Sequence, residues 1–225
     1  MSYASQGAGE VFPLGQTTLR SASTSDAPHA RPDIFERPRD KTRNAEVSLS
    51  ALQYLFSEMV TYSQSRVAGI ADLERLLSQM GYRVGQRAVA LLIHRLETTA
   101  NPKNPKRETR LLPVLLWIHS TFWRAVFGTQ ADSLERSTES GRGDEYMIST
   151  NTPLISRGIS VPSEMPQLSV EAFSAGIVEA ALDSFGFRAR VTAHSVPTDK
   201  YPSRTTILIK LDKSVMEREA SFGGP

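Results

Sequence analysis

Residues 80–87 read MGYRVGQR, with Gly81 and Gly85 four positions apart. The run around them carries apolar residues at helical spacing: Ile70, Leu73, Leu77, Met80, Val84, Ala88, Leu91 and Leu92. That spacing predicts an amphipathic helix over about residues 70–96. A glycine inside a helix costs about 0.8–1 kcal/mol relative to alanine. Two of them, beside the apolar stripe and in line with Leu77, call for a reason. Close approach of another backbone is one; a kink at this point is the competing account. The spacing also matches the Gly-x-x-x-Gly pattern of dimerising membrane helices, which requires an apolar span of about twenty residues. Arg83, Gln86 and Arg87 remove that setting.

Working outward, Leu49, Leu52, Phe56, Met59 and Val60 mark the apolar face of an earlier helix, about Ser48 to Val67, with Ser48 as its N-cap. After the glycine helix, TTANPKNPKRE (98–108) reads as an exposed loop. A third helix is expected over about Glu108–Phe127, with Pro113 in its first turn and Gly128 as its stop. Then the pattern changes. SLERST (133–138) and EYMIST (145–150) flank the turn ESGRGD and predict a β-hairpin. A fourth helix is expected at about 169–185, with Ser169 as N-cap, Leu168 and Phe173 as a hydrophobic staple and Gly186 as stop. Its apolar face is Phe173, Ile177, Ala181, Leu182 and Phe185. FRARVTAHSV (187–196) and RTTILIKLD (204–212) alternate apolar and polar residues and form a second pair of strands. The order ααα-ββ-α-ββ, with segregated helices and antiparallel strands, argues for an α+β fold.

Residues 1–43 are rich in Ser, Ala, Pro, Gly and Arg without an apolar period, and read as a disordered amino-terminal tail. The folded domain is expected over 44–213, and 214–225 as a carboxy-terminal tail. A net charge of +2 with no basic stripe argues against a nucleic-acid partner. The absence of cysteine excludes disulfides, thiolate nucleophiles and zinc–cysteine sites. The longest apolar stretch, LLPVLLWI (111–118), falls well short of a spanning helix. No signal-peptide core appears, so membrane association is expected only through surface charge or partners.

The motifs of nucleotide binding, zinc hydrolysis and the serine nucleophile elbow do not occur. His29 lies in the tail, His94 and His119 near apolar helix faces, and His194 on the polar face of a strand. Hydrogen-bonded structural roles are expected for the two helical histidines, and solvation for His194. No metal site, cofactor site or catalytic carboxylate pair is set by local spacing. RGD (142–144) is accounted for as a polar hairpin tip.

Several separated blocks then match one family in order: NAEVSLSALQYLFSEMV, MGYRVGQRAVALL, RETRLLPVLLWIHSTFWRAVFG, ADSLERSTE, EYMI, EAFSAGIVEAALDSFGFRARVTAH and ILIKLD. Together they resemble the trafficking protein particle (TRAPP) subunit family of the Bet-three-like type, over roughly residues 44–220. The resemblance implies four main helices packed on one side of a twisted four-stranded antiparallel sheet. It makes Gly81, Gly85 and Arg87 a helix-packing signature. It also implies a non-catalytic subunit of a vesicle-tethering complex that exchanges guanine nucleotide on early-secretory Rab GTPases. Its neighbours would be a second Bet-three-type subunit and a longin-fold subunit, at cis-Golgi and endoplasmic reticulum membranes reached only through the complex. One departure matters: a relative carries an acylated cysteine, and TTANPKNPKRET offers none, so covalent acylation does not carry over.

Interfaces favour aromatic and Arg anchors. Tyr54, Tyr62, Trp117 and Trp123 are therefore candidate interface residues, with core burial as the competing role. Arg188, Arg190 and His194 are candidates across the sheet, with a solvated face as the competing role. The alternative function is a regulatory domain that binds a small apolar ligand.

Overall fold

The computed structural model describes residues 48–100, 108–139, 142–161 and 167–223; the side chains of 97–100 are also set aside. The tail assigned to 1–43 and most of the proline-containing loop lie outside the described residues.

Among the described residues, six α-helices and four strands follow in order. These are α1 (Leu49–Gln64), α2 (Ile70–Ala100), α3 (Leu111–Trp117) and α4 (Trp123–Phe127), then β1 (Ser133–Arg136), β2 (Glu145–Thr150), α5 (Ala172–Ser184), β3 (Ala189–Ser195), β4 (Thr205–Leu211) and α6 (Lys213–Ser221). A π-helical turn, Ile118–Phe122, joins α3 to α4 in one continuous helix. The π turn lets the His119 carbonyl accept the Ala131 N–H at 3.3 Å, where the chain swings toward β1. Pro113 sits in the first turn of α3, where amide donors have no partner within the helix. The Leu111 N–H instead donates to Glu219 Oε2 on α6 at 3.3 Å. Gly128 and Gly186, at φ of 81° and 76°, end their helices in the left-handed conformation that only glycine adopts freely.

The sheet is antiparallel throughout, in the order β1-β2-β4-β3. The register places Tyr146 opposite Ile209 and Ile148 opposite Ile207. On the far side, Val191 stands opposite Ile209 and Ala193 opposite Ile207. These residues share the inner face, because side chains one register step apart point oppositely. Tyr146, Ile148, Val191, Ile207, Ile209 and Leu211 are buried in one cluster with α5 and the α3–α4 helix. The fold is the expected α+β arrangement, four main helices with an antiparallel sheet, and α6 added.

Two segments depart from the expectations, α5 in two respects. Helix α5 begins at Ala172, and Ser169 contributes no cap; its N–H donates to Glu74 Oε1 at 2.8 Å, and a turn over 169–172 leads into the helix. Nor is α5 amphipathic: ten of its thirteen residues are buried, so it is the central helix of the domain. The segment assigned to a carboxy-terminal tail instead contains α6. Val215 is buried there, and the Arg218 guanidinium lies 4.4 Å from the Phe187 ring centroid.

Candidate functional site

The glycines of α2 decide how the helices stack. A methyl group built on Gly81 would overlap the Phe173 carbonyl of α5. One built on Gly85 would lie 2.7 Å from Ile177 O and 2.8 Å from Ala180 Cβ. Gly176 answers from α5, where a methyl would overlap Ser78 O and lie 2.9 Å from Tyr82 N. The two helices therefore cross with their backbones in contact. Polar groups fasten the edges of this crossing. Tyr82 donates to Asp183 Oδ2 at 2.5 Å, and this bond holds the phenol above its ordinary pKa. Glu179 Oε2 accepts the Val191 N–H at 3.3 Å, tying α5 to the outer edge of β3. Burial raises the Glu179 pKa, partly offset by that hydrogen bond.

Helix α1 lies on this scaffold through few contacts. Phe56 meets Phe173 edge-on, with ring centroids 5.2 Å apart. Ser63 is buried; its hydroxyl donates to Met59 O at 2.7 Å and approaches Met80 Sδ at 3.9 Å. Those two are the buried residues of a sixteen-residue helix. Met59 and Val60 are half-buried against the same core, while other large side chains are left exposed: Leu52 is 41 % exposed, Leu55 60 %, Tyr54 79 % and Tyr62 50 %. The Arg66 guanidinium rests 4.0 Å from the Tyr62 ring centroid and holds that ring on the surface. On α2, Val84 and Leu91 are likewise exposed. Exposed large apolar side chains therefore stand on both α1 and α2.

The predicted site residues fall in different places. Gly81 and Gly85 are buried in the α2–α5 crossing, whereas Arg87 is exposed. Tyr54 and Tyr62 are both exposed on α1. Trp117 is half-buried, with its ring centroid 5.6 Å from Phe122 and 5.1 Å from Phe185. Trp123 is a correction: it is 3 % exposed and packs on Phe127 at 4.7 Å, so it is core and no surface anchor. Arg188, Arg190 and His194 are exposed, and His194 Nε2 lies 2.9 Å from the Thr192 hydroxyl. His119 Nδ1 lies 3.4 Å from Gln130 Nε2. Leu55, which helical spacing did not place on the inner face of α1, is the exposed residue missed in the sequence. Gly176, the interior glycine of α5 in SAGIV, was the overlooked signal for the partner of Gly81. Among the described residues, no group of three or more His, Asp or Glu is placed to hold a metal, and no helix is long and apolar enough to cross a membrane.

Comparison with known proteins defines the class. The profile of the transport protein particle (TRAPP) component family matches residues 52–212, and the chain belongs to that family. Its relatives include trafficking protein particle complex subunit 5 of Dictyostelium discoideum, 45 % identical over 84 % of this chain and 97 % of that protein. The subunit 5 of Homo sapiens is 39 % identical, covering 85 % of this chain and 94 % of that protein. Subunit 31 of Saccharomyces cerevisiae is 28 % identical, covering 79 % and 80 %. Among solved structures, the fold is shared with a trafficking protein particle complex subunit 3 from Naegleria fowleri covalently bound to palmitic acid. That structure has a TM-score of 0.58 at 17 % identity, over 73 % of this chain and 95 % of that one.

Proposed function

We propose that this chain is a structural, non-catalytic subunit of the TRAPP vesicle-tethering complex, supporting guanine-nucleotide exchange on early-secretory Rab GTPases. The observation that carries the reading is α1, a helix with two buried residues that leaves Leu52, Tyr54, Leu55 and Tyr62 exposed. An isolated helix of this length is marginal in water. Burying each large side chain against a partner contributes about 1.5–3 kcal/mol before the costs of association. In this reading the partner on α1 is a Bet-three-type subunit, with a longin-fold subunit as the further neighbour. The GTPase is met by the assembled complex. The chain works in the cytoplasm, peripheral to cis-Golgi and endoplasmic reticulum membranes through that complex.

The test is reconstitution of the complex with and without this chain, followed by nucleotide release from its Rab GTPase. Omission is expected to lower the exchange rate and shorten the assembly. Unchanged exchange and composition would overturn the proposal.

A further inference from the structure

We infer that the corner between α3, the β1–β2 hairpin and α6 is a second docking surface, for a protein segment carrying a bulky apolar side chain within one helical turn of a carboxylate. The inference rests on the subunit reading and adds to it a second site with its own chemistry. A pocket of about 280 Å³ opens at this corner, with Leu111, Leu112, Pro113 and Met216 among its walls. Arg110, Arg136 and Glu219 also line it.

The charges there are unequal. Arg110 Nε donates to Glu219 Oε2 at 3.1 Å, so this pair is internally balanced. Arg136 has no such partner among the described residues. Its Nε and Nη2 both donate to the neutral Gly143 carbonyl, at 3.1 and 2.9 Å, and its guanidinium lies 5.7 Å from the Tyr146 ring centroid. The lining therefore carries one uncompensated positive charge beside apolar walls. Arg136 is exposed, so a carboxylate arriving next to an apolar anchor reaches that charge directly, and the partner surface closing over the pocket shields the pair from water, where ion pairs count for more.

The apolar surface continues beyond the pocket. Leu112 is 49 % exposed and Leu116 51 %, one turn apart on the same side of α3. Phe222, 61 % exposed, follows α6 and lies 5.5 Å from the Arg110 guanidinium. A single acyl chain fills a pocket but does not cover such a spread, whereas a folded partner surface does both. The elements involved are distinct from α1, as a subunit with two neighbours requires.

The experiment uses the full chain co-expressed with the other subunits of its TRAPP complex, and a photo-crosslinking residue placed at Leu112 or, separately, at Leu55. The Leu112 probe is expected to join a different subunit from the Leu55 probe, at a segment with an Asp or Glu within a turn of a bulky apolar residue. Leu112→Asp should weaken recovery of that subunit at least about tenfold, Leu112→Lys clearly less, and both should melt as the wild type does. Leu116→Asp, at a half-exposed position outside the pocket, serves as a second variant with the same expected loss. Crosslinks from both probes to one subunit, equal effects of the Asp and Lys variants, or a co-purified fatty acid in the pocket would overturn the inference. If the wild-type chain recovers no TRAPP subunit, the underlying reading falls, and this inference with it. If Leu55 crosslinks and Leu112 does not, the inference alone falls.

Discussion

Gly85 sets two residue-scale effects against each other. Helix propensity alone makes Gly85→Ala stabilising by about 0.8–1 kcal/mol. Packing opposes it, because the new methyl would meet Ile177 O at 2.7 Å and Ala180 Cβ at 2.8 Å, one of them backbone. Overpacking costs typically about 1–3 kcal/mol, so the crossing wins and Gly85→Ala is expected to lower stability. Gly85→Leu should prevent folding or partner assembly. Urea denaturation reads the sign directly, and a stabilised alanine variant would show that the helices can separate at little cost. Glu179 gives a second residue-scale expectation. Its pKa is raised by burial, so folding favours the protonated acid. Its contribution to stability is then full below the unfolded value near 4.5 and is lost as pH rises through the raised folded value. Glu179→Gln keeps an acceptor for the Val191 N–H and removes this decline. Parallel stability profiles for variant and wild type across that window would contradict it. The glycine pair was legible because the 3.6-residue period makes an interior glycine conspicuous. Its counterpart, Gly176, sits among small residues that blur the period. Trp123 was misplaced because side-chain type alone does not distinguish an interface anchor from a core aromatic.

At the scale of elements, helix α2 was read within a few residues at each end because its stripe is long. Helix α5 was found but misjudged as one-sided, since Ala, Ser and Gly on its other faces read as neutral while they allow neighbours to close in all round. Helix α6 escaped because KSVMEREAS has little apolar content, although Asp212 before it and Gly223 after it are the usual boundary residues. Its attachment to α3 rests on Glu219, which accepts from both Arg110 Nε and the Leu111 N–H. Glu219→Ala leaves that amide without its partner and should cost about 1–3 kcal/mol. Glu219→Gln, which retains an acceptor, should cost less, and thermal melts compare the two. Equal and negligible shifts would mean that α6 is held by its other contacts, Val215, Met216 and Arg218, and not by Glu219. Helix α1 behaves in the opposite way. Its inner residue Phe56 belongs to the core, so Phe56→Ala should cost about 3–5 kcal/mol. Leu55→Asp, on the open face, should change stability by less than about 0.5 kcal/mol.

For the whole molecule, element order and alternation made the α+β class readable, and the blocks that match the family made its membership readable. The strand order β1-β2-β4-β3 was not, because pairing β2 with β4 across α5 is a long-range choice that no local spacing encodes. Nor was the division of α1 into a thin buried edge and a broad open face, which depends on what the rest of the fold leaves uncovered. That open face is the centre of the account. The most direct test is the affinity of the purified chain for a Bet-three-type TRAPP subunit, measured by titration calorimetry for the wild type and for Leu55→Asp. The account predicts a tight complex for the wild type and a loss of at least about a hundredfold in the variant, with its melting temperature unchanged. Equal affinities for the two proteins would contradict it.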